Sequence, residues 1–342
     1  MKKITRLTCR LQKLCNDVLS LVGLRLVPYA ALVPSTKLYK VQIICQNLVF
    51  RFEGLPELIK NDVVFQEYSY GYYLLRGSLK GTLYLKNDNN SGFFSCLTTF
   101  VWTLIDINNS RHICYVVNNS LSMNWFKETY GSCTWHDLFI KKERSEVSRL
   151  MSFGPQKNYH FDHHSDFHDI YETHLGATWV KALFSAYFTP HQSIVDLADL
   201  FDLKYHISST PTIAVCYRGT DKHTEVQPTP ISTYFQEVNK QMSLIADANI
   251  LIQTDQAQVR EQFFLEYGNR CKYIEELPAT YGDKVLHLDH ALCGDRNLFA
   301  RKLYAMCLVI SRCPVLITHT GNVGFFLALH CFMGGKKVIQ LR

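Results

Sequence analysis

Residues 212–222 have the sequence TIAVCYRGTDK, in which six uncharged residues are followed at once by a polar, charged loop. A short run of apolar and β-branched residues of this kind is typical of a strand that is buried on both faces, as in a parallel sheet. In open α/β sheets, ligands bind beyond the carboxyl ends of the strands. The stretch therefore predicts a core strand over 212–217, with a binding loop that begins at Arg218.

The alternation of apolar strand and amphipathic helix continues to the end of the chain. Helices are predicted over 232–245, 256–267, 297–311 and 324–330, and strands over 249–253, 272–274, 285–288, 315–318 and 337–340. Apolar strands that alternate with helices predict a parallel, doubly wound sheet, so the fold class is α/β.

Four segments are predicted along the chain. Residues 1–35 are a basic amphipathic segment, and 36–90 are a small β-rich lead-in with strands over 41–45, 47–52, 72–75 and 82–85. Residues 91–205 open with a helix to about 107 and a strand over 112–117, and further helices are predicted over 179–187 and 194–201. Residues 206–342 contain the regular alternation described above.

Composition and charge exclude several classes of protein. Apolar residues make up 47% of the 342 residues and charged residues 19%, which excludes a disordered or fibrous chain. The net charge is +6, but the first 60 residues hold ten basic and three acidic groups, so the other 282 residues sum to −1. Residues 61–342 therefore carry no excess of basic charge of the kind that binds nucleic acid.

The twelve cysteines form no CxxC pair, and several lie within apolar runs. This pattern predicts small buried thiols in a reducing compartment, and it does not support a zinc site of the CxxC type. No apolar stretch approaches the length of a membrane span, and Arg25 interrupts what would be the core of a secretory signal. We therefore expect a cytoplasmic protein.

Within residues 1–30, apolar side chains recur every three or four positions, and Arg6, Arg10 and Lys13 fall on the other side of the predicted helix. Such a helix can lie in an anionic membrane surface, which would make the protein peripheral on the membrane. The alternative is a helix packed on the body with its basic face in water. Both interpretations stay open from the sequence.

The loop after the first strand is the leading candidate site. The planar guanidinium of Arg218 suits two phosphate oxygens, and Gly219 lets a ligand approach the backbone. Asp221 could orient Arg218 or hold Thr220, and Glu225 could act as a general base. The alternative is a structural loop with an arginine–aspartate pair, which is common at strand ends.

Two further polar clusters follow predicted strands. The segment Thr318-His319-Thr320-Gly321-Asn322 precedes a helix, where free backbone amides can bind an anion, although threonine and asparagine are also ordinary helix caps. Asp255 follows another strand and could accept hydrogen bonds from a base or ribose, or could simply cap the next helix.

These motifs, in this order, resemble the α1,6-/α1,2-/protein O-fucosyltransferase superfamily, which includes the nodulation fucosyltransferases. The resemblance lies in Tyr217-Arg218-Gly219-Thr220-Asp221-Lys222 with Thr224-Glu225, and in the strand end Ile252-Gln253-Thr254-Asp255. Ser311-Arg312-Cys313 with Leu316-Ile317 and Gly321-Asn322, and the opening loop Gly92-Phe93-Phe94, complete it over about residues 90–340.

The resemblance implies a GT-B fold, in which two Rossmann-like domains face each other across a cleft. Residues 91–205 would be the acceptor domain and residues 206–342 the nucleotide-sugar donor domain. It implies an inverting, metal-independent glycosyltransferase that needs no cofactor and transfers fucose from GDP-fucose to a glycan or glycoconjugate hydroxyl. Glu225 would be the catalytic base and Arg218 the group that stabilises the leaving diphosphate. Donor binding would involve Arg218, Gly219, Thr220, Asp221, Lys222, Asp255, His319, Thr320, Gly321 and Asn322.

Other functions stay open. The chain could use another nucleotide-sugar donor, or it could be a non-catalytic glycan-binding protein on a degenerate GT-B fold. The absence of GxGxxG and of GxxxxGK[ST] disfavours dinucleotide and P-loop chemistry. A metal site is conceivable in the histidine cluster between residues 160 and 174, but no helical pair of histidines orders its ligands. The expectation is therefore no metal.

Overall fold

The computed structural model describes residues 64–68, 72–77, 82–87, 92–109, 115–118, 134–151, 177–219, 229–282, 286 and 290–341. These residues fall into two compact units. None of the helices in these ranges is both long enough and apolar enough to cross a membrane. The predicted strands 41–45 and 47–52 and the basic segment 1–35 lie outside the described residues.

Among the described residues, the first unit contains a sheet of four strands in the order β1-β2-β3-β4. Strands β1 (Val64–Tyr68), β2 (Tyr72–Gly77) and β3 (Thr82–Asn87) form an antiparallel meander. Strand β4 (Tyr115–Asn118), predicted over 112–117, pairs in parallel with β3. The strand expected in segment 91–205 is thus a neighbour of one from segment 36–90.

The described part of the second unit begins with the helices α1 (Phe93–Asn109), α2 (Thr134–Leu138), α3 (Arg144–Met151), α4 (Ala177–Tyr187) and α5 (Gln192–Tyr205). Three of them, α1, α4 and α5, include the helices predicted from the sequence. Whether segment 91–205 forms a Rossmann-like domain of its own stays a prediction.

The described residues between 206 and 341 form the predicted parallel α/β layer. The chain runs through β5 (Thr212–Tyr217), α6 (Ile231–Leu244), β6 (Asn249–Thr254), α7 (Ala257–Tyr267) and β7 (Cys271–Lys272). It continues through α8 (His290–Cys293), α9 (Arg296–Arg312), β8 (Val315–His319), α10 (Asn322–Met333) and β9 (Lys337–Leu341). Of the predicted strand 285–288, only Leu286 is described.

The order of this sheet is β7-β6-β5-β8-β9, and all its pairs are parallel. The chain runs outward from β5 to β7, crosses over through α9, and runs outward again from β8 to β9. Strands β5 and β8 therefore flank the point at which the direction of winding reverses, which is where ligands bind in doubly wound sheets.

One face of the sheet packs against α6 and α7. Ile213, Val215, Ile250 and Ile252 contact Tyr234, Val238, Val259 and Phe263, and all of these side chains are buried. Alternate residues of β5 point to the other face, because side chains of a strand alternate in direction. This two-sided burial explains why the strand sequence is almost uninterruptedly apolar.

Aromatic side chains from α1, α2, α4, α9 and α10 form a second core. Phe188 contacts Phe100, Trp135 and Phe326, with ring centroids 5.4–5.8 Å apart. His330 of α10 lies in this core at 1% exposure, against the rings of Phe184, Tyr304 and Phe326. Its burial lowers the pKa to about 3, so the imidazole is neutral at physiological pH.

The predicted burial of the cysteines is confirmed where the structure describes them. Of the seven described cysteines, all free, six are buried and Cys293 is partly buried. Burial raises the pKa of the Cys216, Cys271 and Cys331 thiols to about 12. These side chains therefore behave as small hydrophobic residues and not as nucleophiles.

Candidate functional site

The candidate site lies where β5 and β6 end. Cys216 of β5 lies opposite Gln253 of β6 and Thr318 of β8 in the parallel register. Consequently the three polar clusters predicted from the sequence follow strands that end at the same edge of the sheet. The edge is the carboxyl one, as expected.

Arg218 and Asp255 form the charged centre of this edge. The Nε atom of Arg218 lies 3.8 Å from Oδ2 of Asp255, and both side chains are four-fifths or more buried. The other carboxylate oxygen of Asp255 accepts a hydrogen bond from the backbone N–H of Gly219, over 3.3 Å. One carboxylate thus holds both the side chain and the backbone of the loop that follows β5.

Asp255 is itself held in place by its backbone. Its carbonyl oxygen accepts a hydrogen bond of 2.8 Å from the backbone N–H of Thr280. The guanidinium of Arg260, from α7, donates to the carbonyls of Thr254 and Leu277 through Nη2, at 3.2 and 2.8 Å. These contacts fix the end of β6 against the segment 277–280.

Gly219 lies directly against the side chain of Gln256. A Cβ at this position would lie within 3 Å of three atoms of the Gln256 side-chain amide. Gln256 is buried and donates a hydrogen bond of 3.2 Å to the carbonyl of Gly282. The amide of Gln256 therefore packs against the backbone of the loop.

The cluster after β8 has a different character. Gly321, the residue before α10, has φ 146° and ψ 176°. Residues other than glycine strongly disfavour this conformation. Thr320 is buried, and its hydroxyl accepts a hydrogen bond of 2.9 Å from Gln340 of β9. Nδ1 of His319 lies 2.7 Å from the carbonyl oxygen of Thr320.

Helix α10 begins in contact with the strand before it. A Cβ on Gly324 would lie far inside contact distance of the His319 carbonyl oxygen and 2.7 Å from the Thr318 hydroxyl. The carbonyl of Asn322 accepts a hydrogen bond of 3.2 Å from Thr98 of α1. The start of α10 is thus fixed between β8 and α1.

A pocket of about 680 Å³, including the part open to solvent, lies at this edge. Arg218 and Asp255 line it together with the predicted opening loop Gly92-Phe93-Phe94. Of the segment after β8, the lining includes Val323 and not His319, Thr320, Gly321 or Asn322. The phosphate-binding role of those four residues stays a prediction.

Several lining residues were not foreseen from the sequence. Phe299, Leu303 and Met306 of α9 contribute to the pocket wall. Their spacing of four and three places them on one helical face, which is the only sequence signal they carry. Gln256 was also missed, because nothing in its sequence context indicates that it packs against Gly219.

Other parts of the predicted site are placed elsewhere or are not described. Thr220, Asp221, Lys222 and Glu225 lie outside the described residues, as does the histidine cluster 160–174. In the part of the chain that the structure describes, no group of three or more His, Cys, Asp or Glu side chains could hold a metal ion.

Arg312, quoted above for the family resemblance, lies at the opposite end of β8 from the pocket. It pairs with Asp199 and Asp202 of α5, at 2.7 Å in the case of Asp202. Burial by itself raises the pKa of Asp202, but hydrogen bonds from Ser208 and Arg312 outweigh it, so the pKa lies below its ordinary value. Within the described residues, Arg312 therefore joins α9 to α5.

Comparison with known proteins gives matches to solved structures alone. No protein-family model matches the chain, and no curated protein does. A structure of NodZ α-1,6-fucosyltransferase soaked with GDP-fucose matches at 14% identity and a TM-score of 0.34, over 46% of this chain and 48% of that one. The fucosyltransferase NodZ from Bradyrhizobium matches at 13% identity and a TM-score of 0.31, over 45% of each chain.

A mutant of Arabidopsis thaliana FUT1, in complex with GDP, matches at 14% identity and a TM-score of 0.36. That match covers 86% of this chain and 56% of FUT1. The chain therefore spans about half the length of the structures it matches. The solved structures to which this chain is similar include fucosyltransferases, the family that its sequence motifs resemble.

Proposed function

We propose that this chain is a glycosyltransferase that takes fucose from GDP-fucose and joins it to a hydroxyl of a glycan or glycoconjugate. The observation that carries the proposal is the Arg218–Asp255 pair in the lining of a pocket, next to the winding reversal of a parallel sheet. A buried, oriented guanidinium at such a position suits the diphosphate of a nucleotide sugar.

In the proposed reaction, the acceptor hydroxyl oxygen attacks the anomeric carbon of fucose from the side opposite to GDP. The bond between that carbon and the β-phosphate oxygen breaks, and its electron pair leaves with GDP. The configuration at the anomeric carbon is inverted. Glu225 accepts the proton of the acceptor hydroxyl.

The role of Arg218 follows from the charge that develops on the leaving group. GDP gains negative charge as the bond to fucose breaks, and a cation already oriented toward it lowers the barrier without reorganisation. Asp255 holds Arg218 through Nε, and we propose that the Nη groups bind the diphosphate. In this scheme Arg218 supplies the positive charge, and backbone amides at the start of α10 add partial positive charge. No metal is used.

Two parts of the proposal concern residues outside the described ranges. The proposed catalytic base, Glu225, follows Arg218 by seven positions in the sequence. The basic segment 1–30 would hold the enzyme against an anionic membrane, near a membrane-borne acceptor.

The proposal is tested by ligand-dependent thermal stabilisation of the full chain. GDP and GDP-fucose are expected to raise Tm, because a ligand that binds only the native state stabilises it, whereas UDP-sugars and NAD should not. R218A should lose the stabilisation by GDP. The matched control is R149A, which removes an exposed arginine that does not line the pocket.

Transfer is tested separately from binding. E225Q should bind GDP-fucose like the wild type and lose transfer to an acceptor. Absence of stabilisation by any guanine nucleotide would overturn the proposal as a whole, whereas normal transfer by E225Q would overturn only the assignment of the base.

A further inference from the structure

We infer that Gln256 is a positioning residue for donor binding, which holds the backbone of Gly219 and through it the guanidinium of Arg218. The inference rests on the proposed function and adds to it a side chain that acts from outside the pocket. Gln256 is 7% exposed and does not line the pocket, whereas the residue before it, Asp255, does. An effect of Gln256 on a bound ligand must therefore pass through its neighbours.

The backbone of Gln256 is fixed by two neighbouring segments. Its N–H donates a hydrogen bond of 3.2 Å to the hydroxyl of Thr254, which is itself buried. Gln256 also forms a parallel bridge with Thr280, whose carbonyl accepts a hydrogen bond of 2.9 Å from the N–H of Ala257. The N–H of Thr280 donates in turn to the carbonyl of Asp255, over 2.8 Å. The point from which the Gln256 side chain starts is thus held by hydrogen bonds to both segments.

The side-chain amide of Gln256 is held at its far end as well. Its Nε2 donates a hydrogen bond of 3.2 Å to the carbonyl of Gly282. Because the donor and the acceptor of an amide lie on different branches, this bond directs Oε1 away from that carbonyl. Oε1 is the atom closest to the position that a Cβ would take on Gly219. The amide therefore connects Gly282 with the loop that follows β5.

Asp255 and Gln256 hold Gly219 in complementary ways. The carboxylate of Asp255 accepts a hydrogen bond from the N–H of Gly219, and the amide of Gln256 packs against its α-carbon. A single hydrogen bond allows rotation about its own axis, whereas a group packed against the α-carbon restricts that rotation. Gln256 thus supplies a constraint on Gly219 that Asp255 alone does not.

The position of Gly219 matters for Arg218 because the two residues share a planar peptide bond. Nε of Arg218 lies 3.8 Å from the carboxylate of Asp255, which is an ion-pair distance and longer than a hydrogen bond. Such a contact constrains direction only weakly, so the orientation of the guanidinium depends also on the backbone that carries it. Gln256 acts on that backbone.

The competing interpretation is that Gln256 only stabilises the fold. Its loss would then lower the free energy of unfolding without changing how folded molecules bind a ligand. Gln258 provides a comparison within the chain, because its Nε2 donates to the same Gly282 carbonyl over 3.5 Å. Gln258 is not among the neighbours closest to Gly219. The two glutamines therefore separate the contact with Gly282 from the contact with Gly219.

The experiment measures the affinity of the full chain for GDP by calorimetric titration, at a temperature at which circular dichroism shows every variant to be folded. Q256A removes the amide that packs against Gly219 and should weaken GDP binding about 10-fold. A loss of this size corresponds to a binding orientation of Arg218 in about one tenth of the molecules, since apparent affinity falls with the competent fraction. Q258A is the matched control and should bind GDP like the wild type.

Two further variants test how the amide acts. Q256M keeps a side chain of similar length against Gly219 and lacks the hydrogen bond to Gly282, so its affinity for GDP should stay within about 3-fold of the wild type. Q256N keeps the amide but is one methylene shorter, so it does not span Gly219 and Gly282 together. Its affinity should fall between those of Q256M and Q256A, and it takes the place of Q256A if Q256A does not fold.

The outcomes distinguish this inference from the proposed function. Wild-type affinity for GDP in Q256A, or in Q256N where Q256A does not fold, overturns the inference and leaves the proposed function standing. An equal loss in Q258A also overturns it, because the contact with Gly282 would then be the cause. The same holds if Q256M binds GDP as weakly as Q256A. If the wild type binds no GDP, the proposed function fails, and the inference fails with it.

Discussion

The carboxylate of Asp255, at the end of β6, accepts a hydrogen bond from the backbone N–H of Gly219, at the end of β5. The same carboxylate pairs with Arg218. Asp255 thus connects two neighbouring strands at the edge where the pocket lies, and it orients the residue on which donor binding is proposed to depend.

D255A should weaken GDP binding by about 10-fold or more, because the partly buried N–H of Gly219 loses its acceptor and Arg218 loses its partner. D255N retains an oxygen that can accept from Gly219 and should bind GDP with intermediate affinity. Calorimetric titration with GDP measures both effects. Wild-type affinity in D255A would show that Asp255 does not position the loop.

The contact between Gly219 and Gln256 predicts a non-additive pair of substitutions. G219A should destabilise the fold by about 1–3 kcal/mol, because the new methyl group overlaps the buried amide of Gln256. In the background of Q256A the same substitution should cost much less. Urea unfolding of the four variants gives the coupling free energy, which we expect to be at least about 1 kcal/mol. Simple additivity would contradict the described contact.

Gly324 and Gly334, at the two ends of α10, form a matched pair. G324A should destabilise by about 2 kcal/mol or more, because its methyl group would meet backbone atoms of His319, which belong to the buried strand β8. At Gly334 the nearest atoms to a Cβ are 3.5 Å away and φ is −83°, so G334A should change stability by less than about 1 kcal/mol. Equal costs for the two variants would be inconsistent with this packing.

His330 predicts a pH dependence of stability. Its pKa is lowered to about 3 from an ordinary 6.5 by burial, so the unfolded chain binds a proton in this range that the folded chain does not. The contribution is therefore constant above about pH 6.5, and stability falls as the pH is lowered from there toward 3. H330F should make the free energy of unfolding fall less steeply between pH 7 and pH 4. The slope should decrease by the equivalent of about one proton, as measured by urea unfolding across this range.

At pH 7, H330F should be as stable as the wild type or more so. Neither ring nitrogen of His330 has a hydrogen-bond partner among the residues that the structure describes, and a ring of similar shape removes these two buried polar atoms. If the free energy of unfolding falls equally steeply with decreasing pH in H330F and in the wild type, His330 is not the titrating group.

The strands and helices of residues 206–341 were largely predictable because each has a strong local signal. Strand β5 was predicted with the bounds it has, since a threonine and five apolar residues followed by arginine leave few alternatives. Helix α10 was predicted shorter than it is, because its first residues, Asn322 and Val323, follow a glycine and resemble a loop. Local pattern decides the existence of an element more firmly than its ends.

The site was predictable only in part, for a related reason. Arg218 and Asp255 each follow an apolar strand, and the parallel topology brings strand ends together, so their proximity could be inferred. The pocket wall from α9 could not, because Phe299, Leu303 and Met306 have the spacing of any core-facing helix. The spacing of apolar residues shows which face of a helix is buried. Tertiary packing decides which neighbour that face contacts.

The central position of β5 has a consequence for dynamics. This strand is hydrogen-bonded on both sides, to β6 and β8, and its residues 212–216 are at most 2% exposed. Its amide hydrogens should therefore exchange with solvent only through cooperative opening of the whole domain. Arg218 and Gly219 follow directly on this strand. We therefore expect motions that admit or release a ligand to arise in the segments around the pocket, while the strand that carries Arg218 keeps its place in the sheet.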